Sequence, residues 1–115
     1  MAKNYDENFS EIPELSIPKR QHNSTHVFHQ YTLKVVPELR NSLIDFLKEN
    51  KIPVMIYYPV PLYKQEAFSS YVNSDFKIAN VEQLCSTVFS LPIHTEYENS
   101  SQEFIINKVK EFFNR

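Results

Sequence analysis

The chain has 115 residues, 12 basic and 14 acidic side chains, no glycine and a single cysteine. This length suits one domain with its own core, and the near-neutral charge lacks the positive cluster that nucleic-acid binding requires. Without glycine there is no P-loop or dinucleotide-binding fingerprint, and one cysteine excludes an internal disulfide.

The first 23 residues predict a short helix followed by an extended connector. Residues 2–9 place Tyr5 and Phe9 on one helical face. Pro13 and Pro18 push the residues before them out of helical angles. The polar start lacks the apolar stretch of a signal peptide, so we expect a cytoplasmic protein.

Alternating apolar residues over 26–36 predict a half-buried strand. Its apolar face would carry Val27, His29, Tyr31, Leu33 and Val35. A single histidine on such a face is more often a hydrogen-bonded core residue than a functional one. His26 and His29 are three residues apart and would lie on opposite faces of a strand, so we expect no metal site.

A rigid loop follows the next two elements. Pro37 opens a helix over residues 37–50, and residues 53–58 predict a second strand. The run Tyr58-Pro59-Val60-Pro61 cannot continue a helix or a central strand. Tyr57, Tyr58 and Tyr63 flank this loop, where packing and function are equal alternatives. The apolar run 52–62 is too short to span a bilayer, so we expect no membrane binding.

The rest of the chain predicts a short helical turn at 64–71, a polar turn at 73–75, helices at 80–89 and 101–113, and a strand at 89–93. Two capping boxes would begin the helices, Asn80 with Gln83 and Ser100 with Glu103. The inward face of helix 80–89 would carry Val81, Leu84, Cys85 and Val88. We expect one core to contain Phe46, Leu47, Leu84 and Phe112.

Without glycine, asparagines should take the left-handed positions that follow helices. The candidates are Asn50, Asn73 and Asn99. Together the elements predict an α+β fold, with a small, mainly antiparallel or mixed sheet of about three strands and helices packed on one face.

Four stretches resemble the C-terminal small domain of the DegT/DnrJ/EryC1/StrS sugar aminotransferases. They are Ser24-Thr25-His26-Val27-Phe28-His29-Gln30-Tyr31, the run 40–47 with Ile52, Tyr58-Pro59-Val60-Pro61-Leu62, and Ser90-Leu91-Pro92. These fold-type-I enzymes depend on pyridoxal phosphate and aminate keto-sugars carried on nucleotides, for polysaccharide and related sugar biosynthesis. The resemblance covers residues 2–115. It implies that residues 1–23 are the end of an inter-domain connector and residues 24–115 are the small domain.

The resemblance also implies that the chemistry needs a second domain. In this family the Schiff-base lysine, the acid paired with the pyridine nitrogen and the phosphate ligands lie in a large domain that precedes this one. We therefore expect no catalytic, cofactor-binding or metal-binding residue in this chain, and no activity from the chain alone. Pyridoxal phosphate and the nucleotide-sugar would be bound by the complete enzyme.

The family's small domain closes over the active-site cleft, which makes Tyr57, Tyr58, Tyr63 and His29 the substrate-cleft candidates. Tyr57 and Tyr63 stand where the family commonly has histidine. The expected partner is the missing large domain or a full-length aminotransferase chain, with a homodimer as a further arrangement. The alternatives are a stand-alone interaction module that docks on a full-length relative, or an inactive remnant.

Overall fold

The computed structural model describes residues 1–73 and 75–114, which form four helices and a three-stranded antiparallel sheet. In chain order the elements are α1 (Ala2–Phe9), β1 (Leu15–Ser16), β2 (Tyr31–Val35), α2 (Pro37–Glu49), α3 (Ala79–Thr87), β3 (Val88–Leu91) and α4 (Asn99–Phe113). Two short 3₁₀ turns, Leu62–Lys64 and Glu66–Phe68, precede α3. The expected α+β class is confirmed. Of the predicted polar turn at 73–75, Ser74 lies outside the described residues.

The sheet has β2 at its centre, and its pairing explains where two predicted strands were wrong. Tyr31 pairs with Leu91, the last residue of β3, and Pro92 follows. Residues 26–30 therefore have no partner strand, and Val27 is 88% exposed. Residues 53–58 contribute a single bridge, between Met55 and Ser90. The third strand is instead β1, whose Leu15 pairs with Val35.

The hydrophobic core lies between the sheet and the helices. Its fully buried residues are Tyr5 and Phe9 from α1, Tyr31, Leu33 and Phe89 from the sheet, and Leu43, Leu47 and Val109 from α2 and α4. Helix α4 packs against both α1 and α2. The proposed domain boundary at residue 23 thus separates two segments that share one core.

Helix α3 departs from its predicted packing. Phe46 and Leu47 are buried, and Phe112 packs on Phe46 with ring centroids 5.7 Å apart. Leu84, however, is 42% exposed, so its predicted place in the core is wrong. Val88 is buried, while Val81 and Cys85 are only half-buried. The helix presents one apolar side to a surface cleft instead of to the core.

The predicted caps are also wrong. The residue that caps α3 is Ile78 and the one that caps α4 is Glu98, neither through its side chain, so Asn80 and Ser100 lie inside the helices. Helix propensity and spacing cannot fix the first residue, because it depends on where the loop meets the helix.

The left-handed residue of the described chain is Lys51, with φ 60, and not an asparagine. It follows the α2 C-cap, Asn50, in a Schellman motif. The Ile52 amide donates to the Leu47 carbonyl and the Lys51 amide to the Lys48 carbonyl, each at 2.9 Å. Burial of Ile52 against the core fixes this register and places lysine at the left-handed position.

Candidate functional site

The tyrosine loop begins directly after the Met55–Ser90 bridge. The peptide bond between Tyr57 and Tyr58 is cis, and their rings meet edge-on with centroids 5.7 Å apart. Tyr58 is 70% exposed and Tyr57 is 38% exposed. Pro61 is buried and anchors the loop beside α3. Two aromatic rings are therefore presented to the outside on a backbone that prolines hold fixed.

An apolar cleft of about 260 Å³ lies between this loop and α3. Its lining is Tyr57, Tyr58, Val60, Pro61, Leu62, Val81, Leu84, Cys85 and Val88. We call its exposed part, formed by Tyr57, Tyr58, Val60, Leu62 and Leu84, the tyrosine face. The cleft accounts for the outward position of Leu84, which sequence reasoning missed. Helical spacing marks an apolar stripe but does not say whether the chain itself covers it.

His29 lies beside the tyrosine loop and not in the core. Its predicted place on a buried strand face is wrong, because β2 begins only at Tyr31 and His29 is exposed. It lines a cleft of about 250 Å³ together with Tyr57 and Ser90. Tyr57 also lines the apolar cleft, so it is shared by the two. The structure thus brings Tyr57 together with both Tyr58 and His29.

Tyr63 lies in a different environment. Its hydroxyl donates to Glu82 Oε1 at 3.1 Å and accepts from the Ile78 amide at 3.2 Å. Its ring meets the Phe76 ring edge-on, with the two ring centroids 5.2 Å apart. Tyr63 lines neither of the clefts that Tyr57 lines, but a third one of about 520 Å³ with Phe76.

Glu82, which accepts from Tyr63, also forms an ion pair with a lysine. The Lys64 ammonium lies 2.6 Å from Glu82 Oε1. The pKa of Glu82 lies below its ordinary value because of the hydrogen bond from Lys64 first and that from Tyr63 second. The carboxylate is therefore the charged acceptor for two donors.

The described residues do not fit pyridoxal phosphate as a Schiff-base cofactor. A reactive lysine needs a pocket that encloses the cofactor. All nine lysines, however, are exposed or half-buried. The buried polar side chains in residues 1–73 and 75–114 are Thr87, Ser90 and Gln102, none of which ionises.

The same part of the chain has neither a metal-binding cluster nor a membrane-spanning helix. No group of three or more histidine, cysteine, aspartate or glutamate side chains could hold a metal ion within the described residues. None of the helices described has the length and apolar character needed to cross a membrane.

Comparisons with known proteins give a consistent family. The sequence profile of the DegT/DnrJ/EryC1/StrS aminotransferase family matches residues 1–110. A pleiotropic regulatory protein of Geobacillus stearothermophilus is 36% identical over 96 residues, which are 84% of this chain and 25% of that protein. A dTDP-3-amino-3,6-dideoxy-α-D-galactopyranose transaminase of Aneurinibacillus thermoaerophilus is 30% identical over 100 residues, which are 87% of this chain and 26% of that protein.

The fold also matches solved structures. The crystal structure of DesV from S. venezuelae, in complex with a ketimine intermediate, aligns with a TM-score of 0.90 at 24% identity. The alignment covers 99% of this chain and 30% of that one. The chain therefore spans between a quarter and a third of the length of the relatives it matches.

Proposed function

The chain belongs to the DegT/DnrJ/EryC1/StrS aminotransferase family, and from this premise we propose that it is the small-domain part of a pyridoxal-phosphate-dependent nucleotide-sugar aminotransferase. Residues 1–23 are the end of its inter-domain connector and residues 24–115 its small domain. The substrate is a keto-sugar carried on a nucleotide, and the name of the Aneurinibacillus transaminase, which contains a dTDP-linked amino sugar, supports the nucleotide-sugar class. The complete enzyme works in the cytoplasm.

The observation that carries this proposal is the exposed tyrosine face. Contiguous exposed apolar residues mark surfaces that another protein segment covers. Tyr58, Leu62 and Leu84 are all exposed around one apolar cleft. A large domain on this surface would bury them, and would close the clefts that Tyr57 shares with Tyr58 and with His29.

In this proposal the chain binds and encloses the substrate but does not hold the cofactor. When bound by the large domain, pyridoxal phosphate supplies the electron sink for amine transfer. The hydroxyls of Tyr57 and Tyr58 and the imidazole of His29 can each donate or accept a hydrogen bond with a sugar hydroxyl. The apolar side chains around them exclude water.

A chimera tests this proposal directly. The part of the Aneurinibacillus transaminase that aligns with this chain is replaced by residues 1–115, and the aminated nucleotide-sugar is measured by mass spectrometry. We expect transamination, reduced at least tenfold by Tyr58→Ala and unaffected by Tyr71→Ala. Tyr71 is the matched control because it is 81% exposed and lies off the tyrosine face. A chimera that folds and binds the cofactor but forms no product would overturn the proposal.

The same chain supplied in trans to a large-domain fragment should restore only weak, concentration-dependent activity. Association then has its full entropic cost, which a covalent linker otherwise removes by raising the effective concentration. The isolated chain should show no transamination. A lysine-linked cofactor adduct on it, found by borohydride reduction and peptide mapping, would contradict the proposal.

The exposed tyrosine face also suits the second candidate, a stand-alone module that docks on a full-length relative. Binding measurements separate the two. The small-domain proposal predicts binding to a large-domain fragment but not to an intact transaminase, whose own small domain already occupies that surface. Binding of equal strength to the intact enzyme would support the interaction module.

A further inference from the structure

The loop that follows the tyrosine face is closed at its two ends by one hydroxyl group. This loop, residues 63–78, starts at Tyr63 and ends at Ile78 immediately before α3. The Tyr63 hydroxyl accepts a hydrogen bond from the Ile78 amide at 3.2 Å. The same hydroxyl donates to Glu82, within α3, at 3.1 Å. One side chain therefore links the first residue of the loop, its last residue and the helix.

Glu82 also forms an ion pair with Lys64, the second residue of the loop. The Lys64 ammonium lies 2.6 Å from Glu82 Oε1, the atom that also accepts from Tyr63. An exposed ion pair contributes little stability by itself. However, a charged acceptor that two donors share orients both donor side chains, here those of Tyr63 and Lys64.

Among the described residues of the loop, 63–73 and 75–78, several hydrogen bonds join groups that are three residues apart. The Ser69 hydroxyl bonds the Glu66 carbonyl, the Tyr71 amide bonds the Phe68 carbonyl and the Phe76 amide bonds the Asn73 carbonyl, each three residues away. Phe68, Tyr71 and Phe76 are exposed. The two ends of the loop are thus close together, while these aromatic side chains lie at the surface.

We propose that Tyr63 is a positioning residue that fixes both ends of the 63–78 loop to the first turns of α3 and so keeps Leu62 and Leu84 on the lining of one apolar cleft. A phenol suits this role because its one oxygen donates and accepts at the same time. The assignment goes beyond the proposed enzyme function, since it requires neither cofactor nor sugar. It accounts for a tyrosine whose hydroxyl is already engaged by two partners within the chain.

Tyr63→Phe tests the role, because it removes the hydroxyl and keeps the ring against Phe76. The first measurement is hydrogen exchange of the Ile78 amide by NMR, since this amide loses its acceptor. We expect exchange to become roughly fivefold to tenfold faster, the size expected for one net hydrogen bond. Tyr71→Phe is the control and should leave Ile78 exchange unchanged.

The second measurement is the titration of the Glu82 carboxyl, which a purely structural role for the Tyr63 ring would not alter. Lys64, Tyr63 and the nearby Lys77 all lower the pKa of Glu82, with Lys64 first. We expect this pKa to rise in Tyr63→Phe and to rise further in Lys64→Met. Ile78 exchange and a Glu82 pKa that both stay at their wild-type values in Tyr63→Phe would overturn the proposal.

A third variant keeps the proposal testable if Tyr63→Phe unfolds. Glu82→Gln retains an oxygen acceptor for the Tyr63 hydroxyl but removes the charge that holds Lys64. We expect Ile78 to keep most of its protection in this variant. An Ile78 amide that exchanges as fast in the wild type as an unprotected amide would also overturn the assignment.

Discussion

Lys51 is a lysine in a backbone conformation that favours glycine. A non-glycine residue in the left-handed region costs roughly 1 to 2 kcal/mol, because Cβ approaches the following carbonyl oxygen. Lys51 adopts φ 60 within the Schellman motif that ends α2. The Asn50 side chain next to it donates to the Phe46 carbonyl at 2.9 Å, so asparagine serves as the C-cap and lysine takes the left-handed position.

Lys51→Gly should therefore stabilise the protein by about 0.5 to 1 kcal/mol. Relief of backbone strain exceeds the entropy that glycine adds to the unfolded chain. The measurement is the urea midpoint at unchanged m-value. Lys48→Gly, within the exposed side of the same helix, is the control and should cost about 1 kcal/mol. A loss of stability in Lys51→Gly would show that the lysine side chain contributes more than its backbone costs.

Two buried tyrosines predict how stability changes at alkaline pH. Tyr31 donates to Asp6 Oδ1 at 2.7 Å and Tyr5 to the Pro92 carbonyl at 2.9 Å, and both side chains are fully buried. Burial is the largest cause that raises the pKa of each phenol well above its ordinary value. Since the unfolded phenols titrate near pH 10, their contribution is complete below about pH 10 and is lost as pH rises above it.

We expect the free energy of unfolding to fall above pH 10 by up to about 1.4 kcal/mol per pH unit for each buried phenol. Tyr31→Phe should reduce this slope by the part that the Tyr31 phenol contributes. Tyr71→Phe, at an exposed position, should leave it unchanged. Urea unfolding between pH 8 and 11 measures the slope, and identical slopes in Tyr31→Phe and the wild type would contradict the assignment.

At the scale of elements, α2 and α3 show the difference between a core helix and a surface helix. Leu43 of α2 is fully buried, whereas Leu84 of α3 is 42% exposed beside the tyrosine loop. Leu43→Ala should cost about 2 to 5 kcal/mol, the usual range for a buried leucine. Leu84→Ala should cost less than about 1 kcal/mol, because its side chain is only partly removed from water. Equal losses in denaturant unfolding would contradict this difference.

The helices could be predicted from the sequence because their signals are local. Pro37 marks the first residue of α2 and the spacing of Tyr5 and Phe9 gives α1. The strands could not, because their lengths depend on partners far along the chain. The two residues of β1 are too few to predict a strand by alternation, and they form one through pairing with β2. Pro53 at the start of residues 53–58 and Pro59 directly after them lack the amide donors of a longer ladder, and the segment forms one bridge.

The candidate site was predictable in part for the same reason. Two prolines two residues apart identify the tyrosine loop without any knowledge of the fold. The outward side of α3 was not predictable, because Leu84 belongs to an ordinary helical stripe and its exposure depends on what covers it. The hydrogen bonds of Tyr63 cross 15 and 19 residues, to Ile78 and Glu82, beyond the reach of any local pattern.

At the scale of the whole molecule, the tyrosine face should make the isolated chain self-associate as concentration rises, as exposed apolar patches do. Tyr58→Ser combined with Leu62→Ser should lower the association constant at least tenfold in sedimentation equilibrium. Val27→Ser is the matched control, because Val27 is 88% exposed and lies off the face. A wild-type chain that stays monomeric at millimolar concentration would count against an exposed docking surface.

The contact between α1 and α4 has a consequence for the order of folding. The Asn4 amide donates to Gln102, the Gln102 amide to the Met1 carbonyl and the Lys110 ammonium to Asn8, across sequence separations of 98, 101 and 102 residues. An isolated helix of eight residues is marginal in water. Of these two helices, α1 is translated before α4, so the hydrogen bonds that join them form only after α4 has left the ribosome. The polar side chains that hold α1 to α4 therefore stay hydrated until that step.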